Sequence, residues 1–178
     1  MSKKLSILIA SVEERNQLMQ NMAKILRLQG NSDVEILVNV DKGQRSIGQK
    51  RNELLEAAKG DYVAFIDDDD NISPFYVAKT LKAIDANADC CGLEGIIVQR
   101  STGPRKFIHS LRYNDWFEKD DIYYRCPNHL NAVKREIALQ VKFPNINHGE
   151  DDRYSRGIRQ IIKTEEYIEE PIYFYYPF

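Results

Sequence analysis

The sequence predicts an α/β fold, a parallel βαβαβ half followed by a mixed-sheet half, and three observations carry that expectation. Short β-rich runs at residues 5–10 (L-S-I-L-I-A), 34–40 (V-E-I-L-V-N-V) and 62–66 (Y-V-A-F-I) are each followed by a segment with helical period. The pattern changes after residue 88, where C-C-G-L-E-G-I-I-V and R-K-F-I-H-S-L read as further strands separated by the turn-like S-T-G-P. The chain of 178 residues, 43% hydrophobic, suits one domain, with residues 1–88 as one half and 89–178 as the other.

The first helical segment, residues 14–29, puts Leu18, Met22, Ile25 and Leu26 on one stripe, and residues 47–58 do the same with Ile47, Leu54, Leu55 and Ala58. Both are expected to cover the sheet. A third helix is expected to start with Ser73 as N-cap and Pro74 in its first position, and to continue on Val77, Leu81 and Ile84. Further on, H-G-E-D-D-R-Y-S-R-G-I-R-Q-I-I opens a helix with three acids, where the helix dipole favours them. Its stripe of Tyr154, Ile158, Ile161 and Ile162 turns Glu150 and Asp151 inward and leaves Asp152, Ser155, Arg156 and Arg159 on the wet face. The closing P-I-Y-F-Y-Y-P-F reads as a strand, and an exposed edge there would let a second copy pair to make a homo-oligomer.

A net charge of -2 offers no broad electropositive field for nucleic acid. The apolar part of M-S-K-K-L-S-I-L-I-A ends before Ser11 and Glu13, too soon for a signal segment or a membrane span, so a cytoplasmic location is expected. Cys90, Cys91 and Cys126 lack zinc spacing and read as reduced thiols. His109 and His129 carry no signal.

The stretch F-I-D-D-D-D-N-I-S-P, residues 65–74, sets four carboxylates directly after an apolar strand. Two unit charges about 4 Å apart repel by roughly 1 kcal/mol in water and by several times that near a protein surface, so the run calls for a cation. Helix capping does not account for the acids, since Ser73 supplies it. In an open α/β sheet the loops beyond the carboxyl ends of the strands converge, which brings S-V-E-E-R, D-K-G-Q-R-S and D-D-D-D-N to one cleft. Asp67 and Asp69 share one side of an extended segment and make a pair of hard oxygen ligands suited to Mg²⁺ or Mn²⁺. Arg51 lies on the apolar face of the second helix and needs an anion, either one of these aspartates or a nucleotide. An inward Glu150 or Asp151 can act as general base toward a hydroxyl. Trp116 can stack on a sugar acceptor or lie in the core, and His148 can ligate a metal or phosphate or stand beside the site.

Residues 46–77, S-I-G-Q-K-R-N-E-L-L-E-A-A-K-G-D-Y-V-A-F-I-D-D-D-D-N-I-S-P-F-Y-V, resemble the nucleotide-sugar half of family-two glycosyltransferases of the glycosyltransferase-A fold. The resemblance rests on an R-N pair on a helix, A-x-G-D-Y leading into the third strand, and a D-x-D-D motif, in the family's order. It implies that Asp41, Arg51, Asn52, Asp67 and Asp68 hold the nucleotide, with Ser11, Glu13 and Arg15 of the first loop. It also implies that Asp67 and Asp69 meet the diphosphate of a UDP-sugar through Mn²⁺ or Mg²⁺. The segment G-E-D, residues 149–151, resembles the family's acceptor-side acid motif, which implies Asp151 as the base of an inverting transfer to a hydroxyl acceptor, with Glu150, His148 and Trp116 nearby. Lys42 stands where the family often has a second Asp, and the absence of Q-x-x-R-W argues against a processive polysaccharide synthase. A nucleotidyltransferase is the enzymatic alternative, though its Gly-rich first loop has no counterpart in S-V-E-E-R-N-Q. The non-catalytic alternative is a Ca²⁺-binding interaction domain, and not an EF-hand, whose Gly and closing Glu are missing.

Overall fold

The computed structural model describes residues 3–99 and 103–177. The first half alternates as expected: β1 (Lys3–Val12), α1 (Asn16–Leu28) after a 3-10 turn at Glu13–Arg15, β2 (Val34–Asp41), α2 (Ile47–Ala57) and β3 (Gly60–Phe65). A short β4 (Asn71–Ile72) and α3 (Tyr76–Ile84) follow the acid run. The second half holds β5 (Cys90–Gln99), β6 (Gly103–His109), β7 (Phe117–Lys119), β8 (Ile122–Arg125) and β9 (Val133–Lys134). It ends with α4 (Arg135–Val141), α5 (Glu150–Ile161) and β10 (Glu165–Tyr175). Of the S-T-G-P turn, Ser101 and Thr102 lie outside the described residues.

The strands share one sheet in the order β2-β1-β3-β9-β5-β6-β8-β7, with β10 beside β5 and β4. The pairs of β1 with β2 and with β3 are parallel, whereas β9 runs antiparallel to both β3 and β5. Apolar residues cover both faces, which is why β1 reads from Leu5 to Ala10 as an apolar run with only Ser6 breaking it. Leu5, Ile7 and Ile9 pack with Met22 and Leu26 of α1 and with Tyr76 and Val77 of α3. On the opposite face Leu8, Val63 and Phe65 pack with Leu54 and Leu55 of α2, Ile137 of α4, and Tyr154 and Ile158 of α5. Each fully buried side chain of this kind contributes about 1.5–3 kcal/mol. The carboxyl ends of β1, β2 and β3 therefore open on one side between rigid layers.

Four local expectations change. Leu18 is 39% exposed, because α1 starts only at Asn16 and its buried face is set by Met22, Ala23 and Leu26. Ser73 and Pro74 sit in a turn before α3, where the Ser73 hydroxyl accepts from the Phe75 N–H at 3.2 Å and its carbonyl from the Tyr76 N–H at 3.0 Å. Ser155 is fully buried, since its hydroxyl reaches the Pro127 carbonyl at 2.8 Å. The C-terminal strand is no free edge, because β10 pairs with β5 along most of its length and with β4. Cys90, Cys91 and Cys126 are buried free thiols.

Candidate active site

The first three loops converge as expected. Ser11 and Arg15 after β1, Gly43 and Arg45 after β2, Lys50 on α2, and Asp68 after β3 line a cleft of about 280 Å³, closed on one side by Asn147. Asp41, the last residue of β2, is buried and bonds three residues that line this cleft. Its carboxylate accepts from Lys50 Nζ at 3.0 Å and from the backbone N–H groups of Arg45 (2.9 Å) and Gly43 (3.1 Å). Burial pushes its pKa up, but these donors prevail and hold it well below the usual carboxylate range. Gly43, at φ 81°, makes the turn that aims the N–H groups at Asp41.

The four aspartates divide among several partners. Asp67 accepts from Arg51 at 2.9 Å and lies 3.4 Å from His129 Nε2. Burial raises its pKa, but the charges and hydrogen bonds of Arg51 and His129 together prevail and hold it low. Asp68 is 4% exposed, accepts from Ser11 Oγ, and shares Arg15 with Asp69, at 3.1 and 2.7 Å respectively. Asp70 accepts from Tyr173 Oη at 2.7 Å and from the Tyr176 N–H at 2.9 Å, which ties the run to β10 and the residue just after it. The run is thus repaid in part by protein cations. The repayment is incomplete: burial and the Asp67 charge raise the pKa of Asp69, and they push Asp70 up to about 8. Among the described residues, no three His, Cys, Asp or Glu side chains gather to hold a metal by themselves.

Arg51 is the pillar between this run and the acid-rich helix. It is 4% exposed, donates to Asp67 and to Glu150 (2.7 Å), and lies against the paired rings of Phe65 and Phe143, 5.7 and 5.4 Å from their centres. The internal ion pair, one of the two alternatives for Arg51, is formed with both Asp67 and Glu150. Asn52 is a correction. Its amide donates to the Phe143 carbonyl and accepts from the Phe143 N–H, both at 2.8 Å, so it pins the chain ahead of α5 and does not face the cleft. Glu13 also departs from expectation, because it points to the surface, 56% exposed and 4.0 Å from Lys42.

A second cleft of about 260 Å³ shares Asn147 with the first and is walled by Asp67, Arg125, Asn128, His129, His148 and Asp151, among others. Gly149, at φ 77°, turns the chain into α5, so that Glu150 and Asp151 occupy its first turn. The two acids then part. Glu150 is 6% exposed and held by Arg51, while Asp151 stays partly open to the cleft, its Oδ1 accepting from the Asp152 N–H at 2.9 Å. His148 is exposed on the cleft wall. Trp116 stands behind the wall, donating from Nε1 to Ser155 Oγ at 3.2 Å and stacking on the Arg125 guanidinium at 4.2 Å.

Sequence reasoning passed over Arg45, Lys50, Asn147, Arg125 and His129. Lys50 could have been found, since it lies one turn before Leu54 on the buried face of α2. The others follow no period and reach the site only through the fold.

The sequence profile of glycosyl transferase family 2 matches residues 10–144. An uncharacterised glycosyltransferase of Haemophilus influenzae is 30% identical over 155 residues, which cover 75% of this chain and 58% of that protein. The putative teichuronic acid biosynthesis glycosyltransferase TuaG of Bacillus subtilis is 33% identical over 106 residues, 57% of this chain and 40% of the relative. The chain thus spans 58% and 40% of the curated relatives it matches. The crystal structure of S. aureus TarS residues 1–349 superposes with a TM-score of 0.74 at 14% identity, over 97% of this chain and 60% of that one. The same protein solved in complex with UDP gives 0.75 at 15% identity, over 98% and 60%. At these identities the likeness concerns the fold, which is the glycosyltransferase-A type.

Proposed function

Because the chain belongs to glycosyl transferase family 2, we propose that it moves a sugar from a nucleoside diphosphate sugar, with UDP as the nucleotide, to an acceptor hydroxyl with inversion at the anomeric carbon. The observation that carries this reading is the meeting of two clefts at Asn147, with Asp68 on the wall of one and Asp67 and Asp151 on the walls of the other. The first cleft suits the nucleotide, and the second suits the transferred sugar and the acceptor. A uridine nucleotide is supported by TarS having been solved with UDP and with UDP-GlcNAc. Family membership favours this reading over a nucleotidyltransferase or a Ca²⁺-binding interaction domain.

Asp67 and Asp69 would hold a Mn²⁺ or Mg²⁺ ion against the donor diphosphate. Both offer hard carboxylate oxygens, and the raised pKa of Asp69 fits, because a cation removes the repulsion from Asp67 that contributes to it. When bound, such an ion stabilises charge on the departing diphosphate. The chain's own residues do the rest. Arg15, against Asp68 and Asp69, brings a guanidinium to the nucleotide cleft. Arg51 keeps Asp67 ionised and Glu150 occupied, which leaves Asp151 as the acid available to the acceptor. Asp151 takes the hydroxyl proton while the oxygen's electron pair forms the new bond to the anomeric carbon. The bond from that carbon to the phosphate oxygen breaks, and its pair leaves with the nucleoside diphosphate.

A thermal-shift panel of UDP, GDP and CDP with and without Mn²⁺ tests the donor side. Ligand at about 100 times its dissociation constant adds roughly 2.7 kcal/mol, a shift of several degrees. The expected result is a Mn²⁺-dependent shift with UDP that Asp69→Ala abolishes. A shift with Ca²⁺ alone, and none with any nucleotide, overturns the reading. Asp151→Asn is expected to keep UDP binding and lose transfer, and wild-type turnover in that variant would exclude Asp151 as the base.

A further inference from the structure

Among the described residues, the second cleft holds one arginine that the proposed chemistry leaves unused. Arg125 closes β8, half-buried, with its guanidinium stacked on Trp116 at 4.2 Å, and lines the same cleft as the start of α5. The other buried cation of this cleft, Arg51, is spent on Asp67 and Glu150. Arg125, in contrast, makes no ion pair or side-chain hydrogen bond among the described residues. Asp151 is near enough to act on it electrostatically, yet not paired with it. That spacing suits a base, because a tight ion pair would remove the basicity that Asp151 needs. A partly desolvated guanidinium left without a carboxylate is costly, and the Trp116 face offsets only part of that cost.

A second donor points the same way. Asn128 is fully buried, lines the same cleft, and its Nδ2 has no partner among the described residues. The acids that act on Arg125 are Asp151 and Asp152, both at the start of α5, and not the aspartates after β3. The unspent donors therefore belong to the side of the cleft where the acceptor meets its base. We infer that Arg125, with Asn128 beside it, forms an anion subsite, and that the acceptor carries a phosphate or carboxylate close to the hydroxyl that is glycosylated. This rests on the glycosyltransferase reading and deepens it by naming the acceptor class. Trp116 orients the guanidinium by stacking.

The test loads the protein with UDP and Mn²⁺, which fills the diphosphate site, and titrates paired probes by calorimetry: glycerol 3-phosphate against glycerol, and glucuronate against glucose. At least one anionic probe is expected to bind about tenfold or more tightly than its neutral counterpart, the order of one charge-assisted contact. Arg125→Ala is expected to erase that preference, and Arg125→Lys to retain part of it, with far-UV circular dichroism confirming both folds. The pair that shows the preference distinguishes phosphate from carboxylate. Equal binding of charged and neutral probes, or a preference that survives in Arg125→Ala, overturns the subsite. The UDP titration on the same samples reports separately on the donor site. If UDP fails to bind, the Arg125→Ala comparison in nucleotide-free protein still decides the anion subsite.

Discussion

Acids of the same kind sit at both ends of the central strands, in opposite states. At the end where β5 begins, Asp89 accepts from Lys134 Nζ at 3.2 Å and from the backbone N–H groups of Lys163 (2.9 Å) and Thr164 (3.2 Å). Burial pushes its pKa up, but those donors prevail and hold it below the usual range. At the end where β3 finishes, burial and neighbouring carboxylates raise Asp69 and Asp70. Around the second cleft, Arg51 Nε, His109 Nδ1, Asn128 Nδ2 and His129 Nδ1 have no partner among the described residues. Asp89 is fully served by its neighbours, whereas Asp69, Asp70 and these buried donors are left short of balance at the end where the ligand is proposed to bind.

The contrast can be broken first at Arg51. Arg51→Ala leaves Glu150 buried without a cation and is expected to cost roughly 3–5 kcal/mol in urea unfolding. A loss below about 1 kcal/mol would mean that the cleft acids do not depend on it. Asp89→Asn probes the balanced end and is expected to cost about 2 kcal/mol at pH 7. The sign follows from linkage. With its folded pKa depressed, Asp89 contributes stability that is fully present above about pH 4 and lost as pH falls through the folded value. The unfolding curves of variant and wild type are therefore expected to converge in acid, and a difference that stays constant with pH would refute the account.

Asp69→Ala sharpens the comparison, because here removing an acid relieves repulsion. In chelator its stability is expected to stay within about 0.5 kcal/mol of wild type or to exceed it. A loss as large as that at Asp89 would place both ends in the same state. The smallest effect is expected on the surface, where Lys142 and Glu56 pair at 2.8 Å with side chains 49% and 56% exposed. Lys142→Ala should cost less than about 1 kcal/mol and lose that effect at high salt.

Much of the first half is legible in the sequence for a physical reason. With both faces of the sheet covered, β1 and β3 are apolar at most positions that pack, so they stand out as apolar runs. Between Leu5 and Ala10 of β1 the run is broken only by Ser6, whose buried hydroxyl donates to Glu35 and accepts from the Gly60 N–H. Arg51 is legible as a charge on an apolar helix face, and Glu150 and Asp151 as acids at a helix start. Arg125 and His129 are not, because β8 and the loop after it lack a period, and one guanidinium in I-Y-Y-R looks like any surface residue. Asn52 misleads, since its amide serves Phe143, 91 positions away, and not the helix it sits on.

The alternation of strand and helix, the crowding of four carboxylates after β3 and the three acids opening α5 are written in the chain locally. These are local properties, set by period and composition over one or two turns. How the charges are shared emerges only on packing: Arg51 reaches Glu150, 99 positions away, while also holding Asp67, Arg15 takes Asp68 and Asp69, and Tyr173 holds Asp70 from β10. The energy of a charge depends on distance and burial, and both are properties of the packed chain that no local pattern contains.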